Sequence, residues 1–252
     1  MMIRVAQIGL AGIFMISAVA MGGQSDSTSG AEQNTSAAKI TRKEVLFEDS
    51  FTRDDLGDQY EILKPDSNRL LVSDGKLMIV ATDPVNNQVM LGQAPTGDFV
   101  ATVVVTMRLT EDNHVGMVYR VDEKNHLLVG VAGSPPYYHM PWYSGGSDAR
   151  SISRRQPFFT KVIEGQENPI AQGMSQLGDR ELKGFSERPE TWYLQLQRSG
   201  SKYIGRISTD GVRWTTLGTH VIVQKHGRLG FRAGSGGGIE NPAEFDDFAV
   251  QR

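Results

Sequence analysis

An all-β fold, two antiparallel sheets stacked as a sandwich, is what this sequence predicts, and three observations predict it. From Glu44 to the C-terminus, short runs rich in Val, Ile, Phe, Tyr and Thr follow one another between turn residues. Several of these runs alternate. In TWYLQLQR, Trp192, Leu194 and Leu196 face one way and Tyr193, Gln195 and Gln197 the other; in FVATVVVTMR, Phe99, Ala101, Val103, Val105 and Met107 share one face, opposite Thr102, Thr106 and Arg108. Such strands have one core face and one wet face, as in a sandwich. No stretch shows a long, capped helical period, and no βαβ rhythm is present. The 252 residues suit one large unit, since β-sandwiches run to roughly 200–250 residues.

The N-terminus has the pattern of an export signal. Arg4 supplies a positive start, VAQIGLAGIFMIS a short apolar core, and Ala18-Val19-Ala20 the small-x-small motif for cleavage after Ala20. An uncleaved anchor is the alternative. Gln7 and the shortness of the run weigh against it, because a span needs roughly 20 apolar residues. The mature protein is expected in the periplasm or outside the cell, with no membrane span. With no Cys in the chain, stability cannot rest on disulfides, and a lipid-modified cysteine is excluded. Residues 21–40, rich in Ser, Gly, Thr, Ala and Gln, form a flexible tether. Residues 41–252 are expected to be the sandwich. A net charge of −3 lacks the basic excess of a nucleic-acid binder.

The strands are expected in this order: VLFEDSF, YEIL, KLMIVAT, QVMLGQ, DFVATVVVTMRL, HVGMVYRV, HLLVGVA, PFFTKVI, TWYLQLQRS, KYIGRIS, RWTTLG, GRLGFRAG and AEFDDFAV. Asp-Gly pairs mark turns at 73–77 (SDGKL) and at 207–218 (ISTDGVRWTTLG), because Asp-Gly readily takes the positive φ angles of a tight hairpin. In the second, Asp210 is expected to cap its own turn and Trp214 to pack on the sheet. A sialidase-type Asp-box would need another residue between Asp and Gly and one copy per blade, and no repeat occurs. A calcium loop would need more oxygen ligands than one Asp. Two inserts interrupt the rhythm. Residues 135–159 carry Tyr137, Tyr138, His139, Trp142 and Tyr143, then Arg150, Arg154 and Arg155; residues 165–190 are polar, with no clear strand.

Taken in order, FEDSFTRDDLGDQYEI, DGKLMIVA, GDFVATVVVTMR and VGMVYRVDEKNHLLVGV, then ETWYLQLQRSGSKYIGRISTDGVRW, GRLGFRAGSGG and AEFDDFAV resemble a concanavalin A-like jelly-roll domain. The nearest kind is the sandwich appended to bacterial β-xylosidases, with its stand-alone secreted relatives. The resemblance spans about residues 44–252. It implies two stacked antiparallel sheets and a concave face that meets carbohydrate; it does not imply a reaction.

A catalytic site is hard to find. Laminarinase-type members of this fold carry Glu-x-Asp-x-x-Glu on one strand; Glu244-Phe245-Asp246 begins that way, but Ala249 stands where the second Glu belongs. Glycoside hydrolysis needs two carboxyls about 5–10 Å apart, and the other acids sit mainly in turns and loops. No nucleophile elbow occurs, and His114, His126, His139, His220 and His226 have no metal-ligand spacing; each alone is more often a surface or turn residue than a ligand. Binding has better material. The aromatics Tyr137, Tyr138, Trp142 and Tyr143, with His139, offer stacking faces and hydrogen-bonding tips for sugars, or alternatively cover an open sheet end. By alternation Arg120, His126, Gln195 and Arg232 sit on wet strand faces and line a groove, or simply a solvated sheet surface. Such arginines would suit acidic or phosphorylated glycans. The resemblance also implies a structural Ca2+ between the first and last strands, with Glu48 or Asp49 and Asp246 or Asp247 as oxygen donors; a plain surface role for these acids is the equal alternative. By strict alternation Asp246 and Asp247 point opposite ways, so only one of them faces inward. The expected role is an exported, non-catalytic module recognising poly- or oligosaccharide. The alternatives are a glycosidase-like enzyme with a non-standard site and an envelope protein-interaction scaffold.

Overall fold

In the computed structural model, the described residues are 44–110, 113–133, 156–170, 188–223, 226–235 and 240–252. They form β1 (Val45–Asp49), β2 (Tyr60–Leu63), β3 (Leu70–Ser73), β4 (Lys76–Ala81), β5 (Gln88–Leu91), β6 (Phe99–Met107), β7 (Asn113–Arg120), β8 (His126–Ala132), β9 (Gln156–Ile163), β10 (Gln166–Ile170), β11 (Glu190–Ser199), β12 (Lys202–Ser208), β13 (Thr215–Val221), β14 (Arg228–Ser235) and β15 (Asn241–Gln251). The expected export signal, tether and aromatic insert at 135–155 lie outside the described residues.

The strands make two antiparallel sheets. An eight-stranded sheet runs β13-β12-β11-β6-β15-β4-β3, with β1 also paired to β15; a seven-stranded sheet runs β10-β9-β8-β7-β14-β5-β2. The last strand, β15, is central to the first sheet. Along one edge its N-terminal half pairs with β4 and its C-terminal half with β1, so chain start and chain end close the sheet together. The alternation expected in β6 and β11 is realised. Phe99, Ala101, Val103, Val105 and Met107, with Trp192, Leu194 and Leu196, point into the core and are almost inaccessible. Opposite them stand Val115, Met117 and Tyr119 of β7, Leu127 and Val129 of β8, and Leu229 and Phe231 of β14. Each such side chain contributes about 1.5–3 kcal/mol on burial, and no disulfide is needed.

Turn chemistry works as the residues predict, with one change of size. Asp74 and Gly75, at φ 53° and 74°, close the β3–β4 hairpin. At the second Asp-Gly only Gly211 is left-handed, at φ 70°, and a longer loop joins β12 to β13. Asp210 does cap it: its carboxylate accepts from the Val212 amide at 2.9 Å, the Arg213 amide at 2.7 Å and the Arg213 Nε at 2.8 Å, while the Ser208 hydroxyl donates to it at 3.0 Å. Those donors hold the Asp210 carboxyl well below the usual carboxylate range. The motif is structural.

Two strands were not among the expected runs. β3 is four residues long, too short to display alternation. β10 forms in the polar insert because Glu164 and Gly165, both at positive φ, turn the chain back so that Gln166 pairs with Ile163. An outermost strand needs a partner on one side only, so backbone pairing suffices there without an apolar pattern.

Strict alternation fails in β15. Its register against β6 slips between Asp246, opposite Val104, and Ala249, opposite Thr102; one extra residue is accommodated as a bulge, with Asp247 at φ 45°. The bulge resets the faces. Ala243 and Phe245 point inward before it and Phe248 and Val250 after it, so Asp246 and Asp247 both lie on the outer side. The expectation that one of them faces inward is corrected by that inserted residue.

Candidate functional site

The outer face of the seven-stranded sheet gathers the polar residues of most interest. In β7, Val115, Met117 and Tyr119 belong to the core, which leaves His114, Gly116, Val118 and Arg120 on the outside. Cross-strand register builds rows on that face. Arg120 stands opposite His126 on one side and Arg228 on the other; Gly116 lies between Gly130 and Arg232; His114 lies between Ala132 and Gly234. Between these rows Val118 sits between Leu128 and Gly230, next to Met90 of β5. Met90, Val118 and Leu128 form a second apolar cluster, separate from the main core, with Leu63 and Phe158 against it. Met90, Val118 and Leu128 are themselves buried, so the accessible part of the face is the flanking arginine and histidine.

Glycines shape its floor. A Cβ on Gly116 would lie 2.5 Å from the Val129 carbonyl oxygen, and one on Gly130 would run into the Val115 carbonyl. A Cβ on Gly230 would run into the Val89 carbonyl. These positions hold no side chain because the adjacent strand leaves no space for one. The gap at Gly230 has a further use. Arg120 on β7 extends past β14 to Gln88 on β5, with its Nη1 3.4 Å from the Gln88 Oε1.

The electrostatics are set by arginine. Burial, then the charge of Arg232, pushes His114 down to about 3. Burial, then Arg232 and Arg120, against a smaller opposing effect of Asp122, pushes His126 down to about 4. Both imidazoles are neutral at pH 7, each with one donor and one acceptor nitrogen. The His114 Nε2 and His126 Nδ1 are buried and have no hydrogen-bond partner among the described residues. At the edges, Glu61 ion-pairs with Arg228, and the Asp122 carboxylate accepts from the Asn125 side chain at 2.9 and 2.8 Å and from the Lys124 amide at 2.8 Å.

A pH dependence follows. Both histidines have folded values below that of the unfolded chain, so the unfolded state binds more protons below about pH 6.5. Stability is therefore full above that pH and falls on acidification toward 4. The urea midpoint is expected to drop between pH 7 and pH 5, and His114→Gln to reduce the drop. A midpoint flat over that range would refute neutral burial.

Several solved structures share this architecture. No family model and no curated protein matches the chain. The GH43 protein BlXynB from Bacillus licheniformis superposes with a TM-score of 0.60 at 16% identity, over 81% of this chain and 39% of its own. The xylan beta-1,4-xylosidase from Bacillus halodurans C-125 does so at 0.60 and 13%, over 81% and 39%. A functionally unknown protein from Saccharomyces cerevisiae matches at 0.51 and 13%, over 76% of this chain and 95% of its own. The fold is a concanavalin A-like β-sandwich. This chain spans 39% of the two bacterial proteins, whereas nearly all of the yeast chain is the same sandwich.

Of the residues expected to line one groove, the concanavalin A-like sandwich brings Arg120, His126 and Arg232 together and separates Gln195 from them. Gln195 is on β11 of the other sheet, where its Oε1 accepts from Arg206 Nη1 at 2.7 Å. The sequence signals a wet face but not which sheet it belongs to. His114 was missed as a member of the face, although its two-residue spacing from Gly116, Val118 and Arg120 was the signal. His220 is buried rather than at the surface, its Nε2 3.1 Å from the Phe159 carbonyl oxygen; His226 is exposed. Tyr137, Tyr138, His139, Trp142 and Tyr143 lie outside the described residues.

The expected calcium donors Asp49 and Asp246 have hydrogen-bond partners within the protein. Both Asp49 oxygens are engaged, by Arg53 at 2.9 and 2.7 Å, the Tyr60 hydroxyl at 2.9 Å and the Phe51 amide at 2.8 Å. Asp246 and Asp247 lie on the outer side of β15, where the Asp246 Oδ1 accepts from the Asp247 amide at 2.7 Å. Among the described residues, no group of three or more His, Asp or Glu side chains is placed to share an ion. Glu244, the start of the laminarinase-like run, ion-pairs with Lys76. A cleft of about 520 Å³ also opens beside β1 and β5, lined by Leu46, Phe47, Gln59, Leu91, Pro95 and Arg252 among others, away from the arginine face. Among the described residues no helix is long and apolar enough to cross a membrane.

Proposed function

We propose that this protein is an exported, non-catalytic carbohydrate-recognition module whose ligand lies on the outer face of the seven-stranded sheet. The observation that carries the reading is the meeting of Arg120, His126 and Arg232, with His114, on one sheet face. Sugars present hydroxyls that both donate and accept. A neutral imidazole answers with one donor and one acceptor, and an arginine with a fixed fork of donors. The GH43 structures of the same fold support the sugar class. The non-catalytic part rests on the carboxylates at this face among the described residues: Glu61 and Asp122 are tied to Arg228 and Asn125, whereas hydrolysis needs an acid and a base or nucleophile flanking the glycosidic bond.

The test is to incubate the purified protein with a panel of polysaccharides and score retention on the polymer and soluble sugar released. Retention without release is the expected result. Release would establish the sugar-processing enzyme instead. Neither retention nor release on any polymer would remove the carbohydrate reading and favour a protein-interaction scaffold.

A further inference from the structure

The ligand class can be narrowed, on the footing of that carbohydrate reading. From the convergence of Arg232, Arg120, His114 and His126 on one glycine-floored sheet face, we infer that the sugar recognised is acidic, a glycan whose residues carry a carboxylate, as uronic acids do.

Charge complementarity is the first reason. Arg228 is matched by Glu61 at the edge, whereas the side-chain hydrogen bond of Arg120 among the described residues goes to the neutral carboxamide of Gln88 at a long 3.4 Å, with Asp122 the acid within its electrostatic reach. Around the two histidines the electrostatic influence is mainly cationic. Among the described residues, Arg232 acts on both rings and Arg120 on one, against Asp122. A planar carboxylate accepts two parallel hydrogen bonds from one guanidinium.

The histidines are the second reason. Each has a buried ring nitrogen with no hydrogen-bond partner among the described residues, and such an atom can take up a further polar group. Protonated rings would only donate and would suit a densely charged polyanion. Neutral rings pair with hydroxyls. The combination of one or two arginine forks with two neutral imidazoles fits a sugar bearing one carboxylate and several hydroxyls better than a heavily sulfated chain. Spacing agrees. His126 and Arg120 are direct cross-strand neighbours, and Arg232 stands beside Gly116, two residues along β7 from Val118. The rows thus follow the strand direction at roughly 7 Å per two residues, within the reach of a di- or trisaccharide.

The experiment uses the full chain and a matched pair of ligands: trigalacturonic acid and its methyl ester, measured by titration calorimetry at low salt. A neutral xylotriose and a sulfated heparin-type oligosaccharide are the other arms. The acid is expected to bind and the ester to bind at least about tenfold more weakly, the loss of a charge-assisted bond. Arg232→Gln is expected to weaken the acid by a similar factor, and Arg232→Lys to recover only part of it because the fork is gone. Since Arg232 is half-buried, Arg120→Gln serves as a second variant, and the acid–ester comparison on the unaltered protein needs no variant at all. Equal affinity for acid and ester, or binding of xylotriose without the acid, would overturn the inference and leave carbohydrate recognition standing. Tighter binding of the sulfated chain than of the uronate would overturn it in favour of a polyanion site. Failure of every sugar to bind would sink both proposals.

Discussion

Gly130→Ala is expected to destabilise the protein by roughly 2–3 kcal/mol, at the upper end of what an overfilled core site costs. The methyl would run into the Val115 carbonyl oxygen and come within 3.0 Å of the Gly116 Cα and of the Phe158 Cζ. The first two obstacles are backbone and belong to β7, the neighbouring strand, so relief requires β7 and β8 to part. Parting them breaks a ladder that holds from His114–Ala132 to Arg120–His126. Gly165→Ala is the comparison. Its Cβ meets nothing within 4 Å, and only its φ of 79° opposes the change, a cost of about 1–2 kcal/mol. Urea denaturation of the two variants should therefore rank Gly130→Ala below Gly165→Ala. Equal midpoints would show that β7 and β8 can separate freely, and the glycine floor of the binding face would lose its structural basis.

The sequence predicted strands where a face is visible in it. β6 and β11 alternate over nine and ten residues, and both lie in the middle of a sheet with one side on the core, so pattern and burial coincide. β3 and β10 escaped because a four-residue strand and an outermost polar strand are specified by their partners and turns, not by their own side chains. The β15 bulge escaped for a related reason. Asp-Asp in a strand looks like two opposite directions until a register slip against β6 puts both outside. Nothing in the local sequence announces that slip.

The candidate face was half legible. Arg120 and His126 flank a short turn, VDEKN, so a hairpin brings them opposite each other without knowledge of the rest of the fold. Arg232 joins them only because β14 crosses to lie against β7, a pairing between segments more than a hundred residues apart that no periodicity predicts. Gln195 fell to the same ambiguity from the other side. A sandwich has two wet faces, and alternation assigns a residue to one without saying which. The three strand glycines look like weak points in β-rich runs; their necessity comes entirely from the neighbouring strand.

Asp49→Asn is expected to cost about 3 kcal/mol, because it removes the buried counter-charge of Arg53 and leaves, among the described residues, only the exposed Asp55 carboxylate at 3.9 Å. For a domain of this size that is a fall in melting midpoint of roughly 6–12 °C. The Asp49 side chain is 3% exposed and Arg53 only 32%. Arg53 also donates to the Leu56 carbonyl at 2.6 Å, so the pair pins the segment between β1 and β2, while Tyr60 ties that segment to β2 itself. Burial alone would raise the Asp49 carboxyl. The bonds from Arg53, Phe51 and Tyr60 together outweigh it, and the folded value lies below the ordinary one. The sign follows: the contribution is complete above the unfolded carboxylate value near 3.9 and is lost as pH falls through the lower folded value. Wild type and Asp49→Asn should therefore differ by their full margin at pH 7 and converge below pH 4. The same pair of proteins tests the ion that Asp49 was expected to hold. With its oxygens already taken by Arg53, Tyr60 and Phe51, EDTA should leave the wild-type midpoint where it is. A fall on chelation that vanishes in Asp49→Asn would instead make Asp49 a calcium donor and require the Arg53 pair to open when the ion binds.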